Sequence, residues 1–191
     1  MKLMTGTNLV GRAVTAIARA APAAEASPTL STKHSVEMID DARPGDVGVI
    51  VMEGTLDIAA MGNLMATAAV ERGMAGMVLD GAVRDLWDLR RMGLTVYARA
   101  KSPRTAVGHY ATVARNVPVE CAGVTVRPGD IIVADPLDGL VHLSNLLGLE
   151  MGESLSLDGR RRTVVGIVEN PADLSDEFAL VSPSSAGAPD H

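Results

Sequence analysis

The residues best suited to chemistry in this chain are the adjacent pair Arg84 and Asp85, which follow an apolar strand and a predicted turn at Gly81. An arginine side chain grips carboxylate or enolate oxygens as a planar fork. Aspartate is a hard oxygen ligand for Mg²⁺ or Mn²⁺. The pair therefore suits a small anionic substrate held against a divalent metal. An alternative stays open, in which the two side chains form an ion pair and Asp85 caps the first turn of a helix.

The elements that must position this pair alternate between strands and helices. The apolar pattern predicts strands at residues 47–52, 76–79 and 95–98, and helices at residues 61–72 and 85–92. Each predicted helix is closed by a glycine, Gly73 or Gly93. Such alternation is typical of a parallel sheet with covering helices, whose ligands bind beyond the carboxyl ends of the strands. The Arg-Asp pair lies just past such an end, which favours a functional role.

The flanking sequence is less regular. A β-like pattern covers residues 9–18, a Pro/Ala/Ser connection 20–31 and a short helix 36–41. After residue 98, short strands are predicted at residues 118–119, 124–126, 131–134 and 139–143, and a hairpin turn at 158–159 joins residues 154–157 to 163–168. Pro-Gly-Asp occurs twice, at residues 44–46 and 128–130, each time before a strand, which is a weak sign of internal duplication.

Composition limits the classes of function. The 191 residues suit one domain, and 47% hydrophobic residues with 2% aromatics predict a core of Val, Leu, Ile, Ala and Met. The net charge of −6 and the absence of a basic stripe argue against nucleic-acid binding. Cys121 is the only cysteine, so we expect a buried thiol in a reducing compartment. The sequence has no 18-residue apolar run, so no membrane helix is predicted. Arg12 and Arg19 interrupt the Ala-rich N-terminal stretch, which argues against a signal peptide, so we expect a cytoplasmic protein.

The ordered motifs across residues 8–143 resemble the RraA-like family, which includes class II 4-hydroxy-4-methyl-2-oxoglutarate aldolases and the regulator of ribonuclease E activity. The motifs are GRAVT at residues 11–15, PGDV at 44–47, GNLM at 62–65, GMAGMVLDGAVRD at 73–85, GLTVYAR at 93–99 and GVTVRPGDIIVAD at 123–135.

The resemblance implies a single α/β domain with the α/β/β/α swivelling, phosphohistidine-domain-like fold, assembled as a homotrimer or hexamer. It implies cleavage of 4-hydroxy-4-methyl-2-oxoglutarate-type 2-keto acids to pyruvate, oxaloacetate decarboxylation, and a requirement for a divalent cation, Mg²⁺ or Mn²⁺. Asp85 would bind the metal, and Arg84 would bind substrate and stabilise the enolate formed on bond cleavage. Asp88, one turn later, would hold a metal-bound water, or would be a surface helix carboxylate. The substrate carboxylate would lie on the backbone at a helix start, where free N–H groups favour an anion; these residues are Gly62, Asn63, Leu64 and Met65.

The alternatives within the family are a non-catalytic regulator that binds ribonuclease E and an inactive paralogue. Regulators lack the acidic residue after the arginine, so Asp85 and Asp88 favour the aldolase branch. The family domain is predicted at residues 1–149, followed by a divergent segment at 150–181 with the hairpin, and a disordered tail at 182–191. The N-terminal helical segment is shortened and no C-terminal family helix is matched. The glutamate expected from a neighbouring subunit therefore has no assignment among Glu150, Glu153, Glu169 and Glu177.

Overall fold

The computed structural model describes residues 1–135 and, beyond them, three strands within residues 154–182. The helices are α1 (Lys33–Asp40), α2 (Asn63–Glu71) and α3 (Leu86–Met92). The strands are β1 (Lys2–Thr5), β2 (Leu9–Ala20), β3 (Asp46–Met52), β4 (Ala59–Met61), β5 (Gly76–Val83), β6 (Thr95–Lys101), β7 (Tyr110–Arg115), β8 (Val119–Cys121), β9 (Val124–Val126), β10 (Ile131–Asp135), β11 (Ser154–Leu157), β12 (Arg160–Glu169) and β13 (Glu177–Ser182).

One large sheet contains eleven of the described strands, in the order β1-β6-β5-β3-β2-β10-β13-β12-β11, with β4 beside β5 and β7 beside β2; strands β8 and β9 form a separate pair. Strands β2, β3, β5 and β6 are mutually parallel, and β4 is parallel to β5. This parallel centre follows from the strand–helix alternation, because a helix returns the chain to the same end of the sheet before each new strand. The predicted parallel sheet is therefore confirmed.

The core lies on both faces of this sheet. Every residue of β3 is buried, as expected for a strand covered on two sides. On one face Ile50 and Leu79 pack with residues of α1, α2 and α3. On the other face Val49 and Tyr97 pack with residues of β10 and of the two-stranded β8–β9 hairpin. The molecule is a mixed α/β single domain, as predicted; within residues 1–135 the layers are helices, sheet and hairpin, without a second helical layer.

The structure corrects several predicted boundaries. The helix predicted at residues 61–72 begins at Asn63, because Met61 belongs to the short strand β4. The strand predicted to end at residue 79 continues through Gly81 to Val83. Gly81 is not a turn: a Cβ there would lie 2.7 Å from Met52 Cγ, so glycine permits close packing instead. Strands β1, β4, β7 and β13 had no sequence prediction, and the strand predicted at 139–143 lies outside the described residues.

The C-terminal part is described only as backbone strands. Strand β11 pairs with β12 in antiparallel register, Leu157 opposite Arg160, where the hairpin was predicted. The turn at residues 158–159, the domain boundary at residue 149 and the tail beyond residue 182 lie outside the described residues. Within the part of the chain that the structure describes, no helix is long and apolar enough to cross a membrane.

Candidate active site

Two strand-to-helix turns lie side by side at the carboxyl edge of the parallel sheet. The first runs from β4 through Gly62 into α2, and the second runs from β5 through Arg84 and Asp85 into α3. Strands β4 and β5 are parallel neighbours, with Met61 opposite Val83. The Arg84 N–H donates to the Met61 carbonyl oxygen at 3.1 Å, which ties the turns together. Residues 22 positions apart in sequence therefore meet where open α/β sheets bind ligands.

Asp85 caps a neighbouring helix and not its own. It occupies the N-cap position of α3 in the left-handed conformation, φ 59° and ψ 33°, and makes no side-chain cap hydrogen bond there. Its Oδ2 instead accepts the N–H of Asn63, the first residue of α2, at 2.9 Å. Left-handed geometry in a non-glycine residue costs free energy and is concentrated at functional sites, and aspartate is among the residues that tolerate it. The strained backbone aims this carboxylate at the start of α2.

Arg84 and Asp85 are close, but their ion pair is loose. The Arg84 Nε atom lies 3.7 Å from Asp85 Oδ2, beyond hydrogen-bonding distance, and the two side chains are 40% and 33% exposed. Arg84 forms no other ion pair with the described residues. Its guanidinium is therefore available to an incoming anion.

Gly62 makes this arrangement possible through the absence of a side chain. A Cβ at Gly62 would lie 2.6 Å from both Arg84 Nε and Asp85 Oδ2. The φ of Gly62 is −137°, which any residue adopts, so the requirement is for space and not for backbone freedom. Arg84 and Asp85 thus lie directly over the N-terminus of α2.

The start of α2 retains donors for an anion. Of residues 62–65, Asn63 has its N–H engaged by Asp85, while the N–H groups of Leu64 and Met65 have no acceptor among the described residues. The Asn63 side chain also reaches the second carboxylate, its Nδ2 donating to Asp88 Oδ2 at 3.4 Å. The sequence predicted only a backbone role for Asn63. Its side-chain contact with Asp88 depends on the packing of α2 on α3, which no local sequence pattern indicates.

A shallow cavity of about 360 Å³ adjoins this cluster. It is lined by Val83, Arg84, Asp85, Leu86, Lys101, Ser102 and Pro103. Trp87, two residues beyond Asp85, is 66% exposed, and the Arg91 guanidinium lies 4.5 Å from the centre of its ring. Lys101 had no predicted role, because it reaches this edge only through the pairing of β6 with β5.

The carboxylates suit a metal that keeps most of its water. The described residues contain no group of three or more His, Cys, Asp or Glu side chains arranged to hold a metal ion. Asp85 and Asp88 are thus the carboxylates available, and Asp85 Oδ1 has no hydrogen-bond partner in this part of the chain. Mg²⁺ is commonly held by one or two carboxylates, with waters and substrate oxygens completing its octahedron. The residues present fit such an ion. The side chains of the candidate glutamates at positions 150, 153, 169 and 177 lie outside the described residues.

Comparison with known proteins yields one family. The RraA-like family model, described as Aldolase/RraA, matches residues 1–141. A protein of Halalkalibacterium halodurans named "Putative 4-hydroxy-4-methyl-2-oxoglutarate aldolase" is 38% identical over 99 residues, which cover 50% of this chain and 45% of that protein. One of the same name from Deinococcus radiodurans is 42% identical over 94 residues, which cover 48% and 58%. The chain thus matches about half the length of these relatives.

Solved structures agree on the fold. The Streptomyces coelicolor protein RraAS2, an unusual member of the RNase ES inhibitor RraA protein family, superposes with a TM-score of 0.61 at 26% identity, covering 70% of this chain and 65% of that one. The RNA-processing inhibitor RraA from Thermus thermophilis superposes with a TM-score of 0.56 at 28% identity, covering 70% and 76%.

Proposed function

This chain belongs to the RraA-like family, and we propose that it is a divalent-metal-dependent lyase that cleaves 4-hydroxy-4-methyl-2-oxoglutarate-type 2-keto acids to pyruvate and decarboxylates oxaloacetate. One observation carries the proposal: Arg84 and Asp85 lie over the N-terminus of α2, with the Asp85 carboxylate bonded to the first N–H of the helix. A guanidinium, a carboxylate that suits a divalent metal, and helix N–H groups without acceptors among the described residues lie together at one edge of the sheet. The names of the bacterial relatives support the same reaction class.

The substrate carboxylate would bind at the start of α2. The N–H groups of Leu64 and Met65 and the positive end of the helix dipole favour an anion there. Since Asp85 already occupies the N–H of Asn63, the substrate would lie beside this carboxylate and next to the Arg84 side chain.

Arg84 would act on the charge that develops during cleavage. When the C3–C4 bond of the keto acid breaks, its electron pair moves toward the C2 oxygen and generates an enolate. The Arg84 guanidinium donates hydrogen bonds to that oxygen, a contribution of about 3 kcal/mol by analogy with an oxyanion-hole donor. The C4 hydroxyl loses its proton to water as C4 becomes the carbonyl of a second keto acid; with oxaloacetate the leaving group is CO₂. Protonation of the enolate at C3 then yields pyruvate.

Asp85 would hold the Mg²⁺ or Mn²⁺ ion, with Asp88 bonded to one of its waters. When bound, the ion supplies Lewis acidity that polarises the carbonyl of the keto acid. We also propose a homotrimer or hexamer, because the family resemblance implies that a neighbouring subunit supplies a glutamate to the site. Light scattering at micromolar concentration tests this assembly, and a monomer that retains decarboxylase activity would contradict it.

The decisive experiment is oxaloacetate decarboxylation with Mg²⁺ and with EDTA, in the wild-type protein and in Asp85→Asn. Asparagine tolerates the left-handed backbone and its Oδ1 can still accept the Asn63 N–H, but the charge is lost. We expect EDTA to abolish wild-type turnover and Asp85→Asn to have little activity at saturating Mg²⁺, with an unchanged circular dichroism spectrum. Activity that is indifferent to EDTA would remove the metal from the proposal.

A protein-binding regulator is the second candidate. It is favoured by the likeness of the fold to the RNase ES inhibitor family member RraAS2 and to the RNA-processing inhibitor RraA. Inactivity toward keto acids together with capture of ribonuclease E in a pull-down would support it over the lyase, whereas inactivity without capture would support an inactive paralogue.

A further inference from the structure

The cavity beside Arg84 contains a second cation, supplied by the end of β6. Strand register places Lys101 opposite Val83, the residue before Arg84. The Ser102 N–H donates to the Val83 carbonyl oxygen at 3.1 Å, so the two chain segments leave the sheet together. Lys101 and Arg84 therefore line the same cavity.

The position of Lys101 is held by the segment that follows it. Ser102 is buried, and its hydroxyl donates to the Asp57 carbonyl oxygen at 2.5 Å. The Arg104 N–H donates to the same hydroxyl at 3.2 Å. The backbone at the mouth of the cavity is thus fixed, while the Lys101 side chain is exposed and able to extend toward a ligand.

The charge of Lys101 is not neutralised within the described residues, where it takes part in no ion pair. The neighbouring cation Arg104 differs, because its guanidinium lies 2.8 Å from Asp57. The one carboxylate lining the cavity, Asp85, already accepts a hydrogen bond from α2. The cavity therefore offers two cations against one engaged carboxylate, an excess of positive charge that suits an additional anionic group.

We infer that Lys101 binds the second carboxylate of a 2-keto dicarboxylate and selects such substrates over 2-keto monocarboxylates. This inference rests on the proposed function, which assigns the keto-acid end of the substrate to α2 and Arg84. A second carboxylate taken from water needs a cation of its own, and an ammonium on a flexible stem supplies one. The volume of about 360 Å³ lies within the roughly 300–1,000 Å³ of small-molecule sites.

The test uses two ligands with the same five-carbon chain, 2-oxoglutarate and 2-oxopentanoate, which differ in the carboxylate at C5. Isothermal titration calorimetry of the full chain at saturating Mg²⁺ measures both dissociation constants. We expect the wild-type protein to prefer 2-oxoglutarate by about tenfold, the scale of one charge-assisted contact. Lys101→Met should bind the two ligands equally, and Lys101→Arg should keep part of the preference.

Arg104→Met is the matched control, because it removes a positive charge three residues away that is outside the cavity and already paired. It should retain the wild-type preference, which separates direct contact from the general field of the surface. The inference is overturned if the wild-type protein shows no preference, if Lys101→Met retains it, or if Arg104→Met loses it equally. If the preference depends on Lys101 but the protein cleaves no keto acid, the proposed lyase is refuted and this inference stands. If the protein cleaves keto acids without any such preference, the lyase stands and this inference is refuted.

Discussion

Gly62→Ala isolates the geometry of the proposed site, because it adds one methyl group where Arg84 and Asp85 cross the start of α2. The new Cβ would lie 2.6 Å from Arg84 Nε and 2.6 Å from Asp85 Oδ2. Ordinary van der Waals contact begins near 3.4 Å. Both side chains must therefore move by about 0.8 Å.

The two consequences of this displacement differ greatly in size. A misplacement of about 1 Å can lower a catalytic rate on the order of 100-fold, so kcat should fall by about that factor. The free energy of unfolding should change by less than about 1 kcal/mol. Loss of the N-cap glycine lowers it, whereas the lower conformational entropy of the unfolded chain raises it. The side chains that must move are also partly exposed and can move toward solvent.

Steady-state oxaloacetate decarboxylation at saturating Mg²⁺ measures the first effect, and urea denaturation followed by circular dichroism measures the second. Val70→Ala, at the far end of the same helix and 37% exposed in the wild-type protein, is the control and should leave kcat unchanged. Wild-type kcat in Gly62→Ala would refute the reasoning, since it would mean that Arg84 and Asp85 need not lie over the helix start for turnover.

Three further predictions concern single side chains. Arg84→Lys keeps the charge but loses the planar fork, so kcat for oxaloacetate should fall about tenfold, and wild-type kinetics would mean that this arginine only pairs with Asp85. Burial raises the pKa of the Asp130 carboxyl, whose Oδ1 has no partner within the described residues. The stability that this group contributes is therefore present below its unfolded pKa and lost as pH rises through the folded pKa. In urea denaturation, Asp130→Asn should therefore gain stability relative to wild type between acid and neutral pH, and a pH-independent difference would contradict this. Burial, and then the nearby Asp80, raise the pKa of the Cys121 thiol to about 12. Ellman's reagent at pH 8 should therefore label this thiol only after unfolding, and stoichiometric labelling of the native protein would contradict this prediction.

The elements that deliver Arg84 and Asp85 were predictable because their signals are local. A buried apolar strand, a helical spacing of small apolar residues and a closing glycine each occupy a few consecutive positions, and their alternation implies a parallel sheet. The burial of Cys121 was predicted in the same way, from its residue type.

The close approach of Gly62 to Arg84 and Asp85 was not predictable from the sequence, because it depends on strand pairing. Strand β4 has three residues, too few for an alternation pattern, yet its pairing with β5 brings Gly62 beside Arg84. Asp85 was expected either to cap its own helix or to bind a metal. It caps the neighbouring helix and not its own, and its role as a metal ligand stays a prediction. Lys101 lines the cavity because β6 pairs with β5, and this pairing also carries no local signal.

The repeated Arg-Pro-Gly-Asp sequence shows which features of a turn the local sequence determines and which depend on the rest of the fold. In both copies the aspartate accepts the N–H of the arginine three residues earlier at 2.8 Å, so Asp46 and Asp130 close the same turn. Their surroundings differ. Asp46 pairs with Arg12 through both oxygens, at 2.7 and 3.0 Å, whereas Asp130 Oδ1 is buried and has no partner in the part of the chain that the structure describes.

The topology explains this difference and argues against a structural duplication. Strands β3 and β10 lie on opposite sides of β2, with Asp46 opposite Arg12 in a parallel pair and Ile131 opposite Arg12 in an antiparallel pair. A duplicated unit would place both turns in equivalent positions relative to the sheet, and these two strands run in opposite directions. Since the single Arg12 side chain is engaged by Asp46, the second turn has the same hydrogen bond from the arginine N–H but no guanidinium among the described residues. The four-residue sequence thus determines the turn, and the strand order determines which of the two buried carboxylates pairs with Arg12.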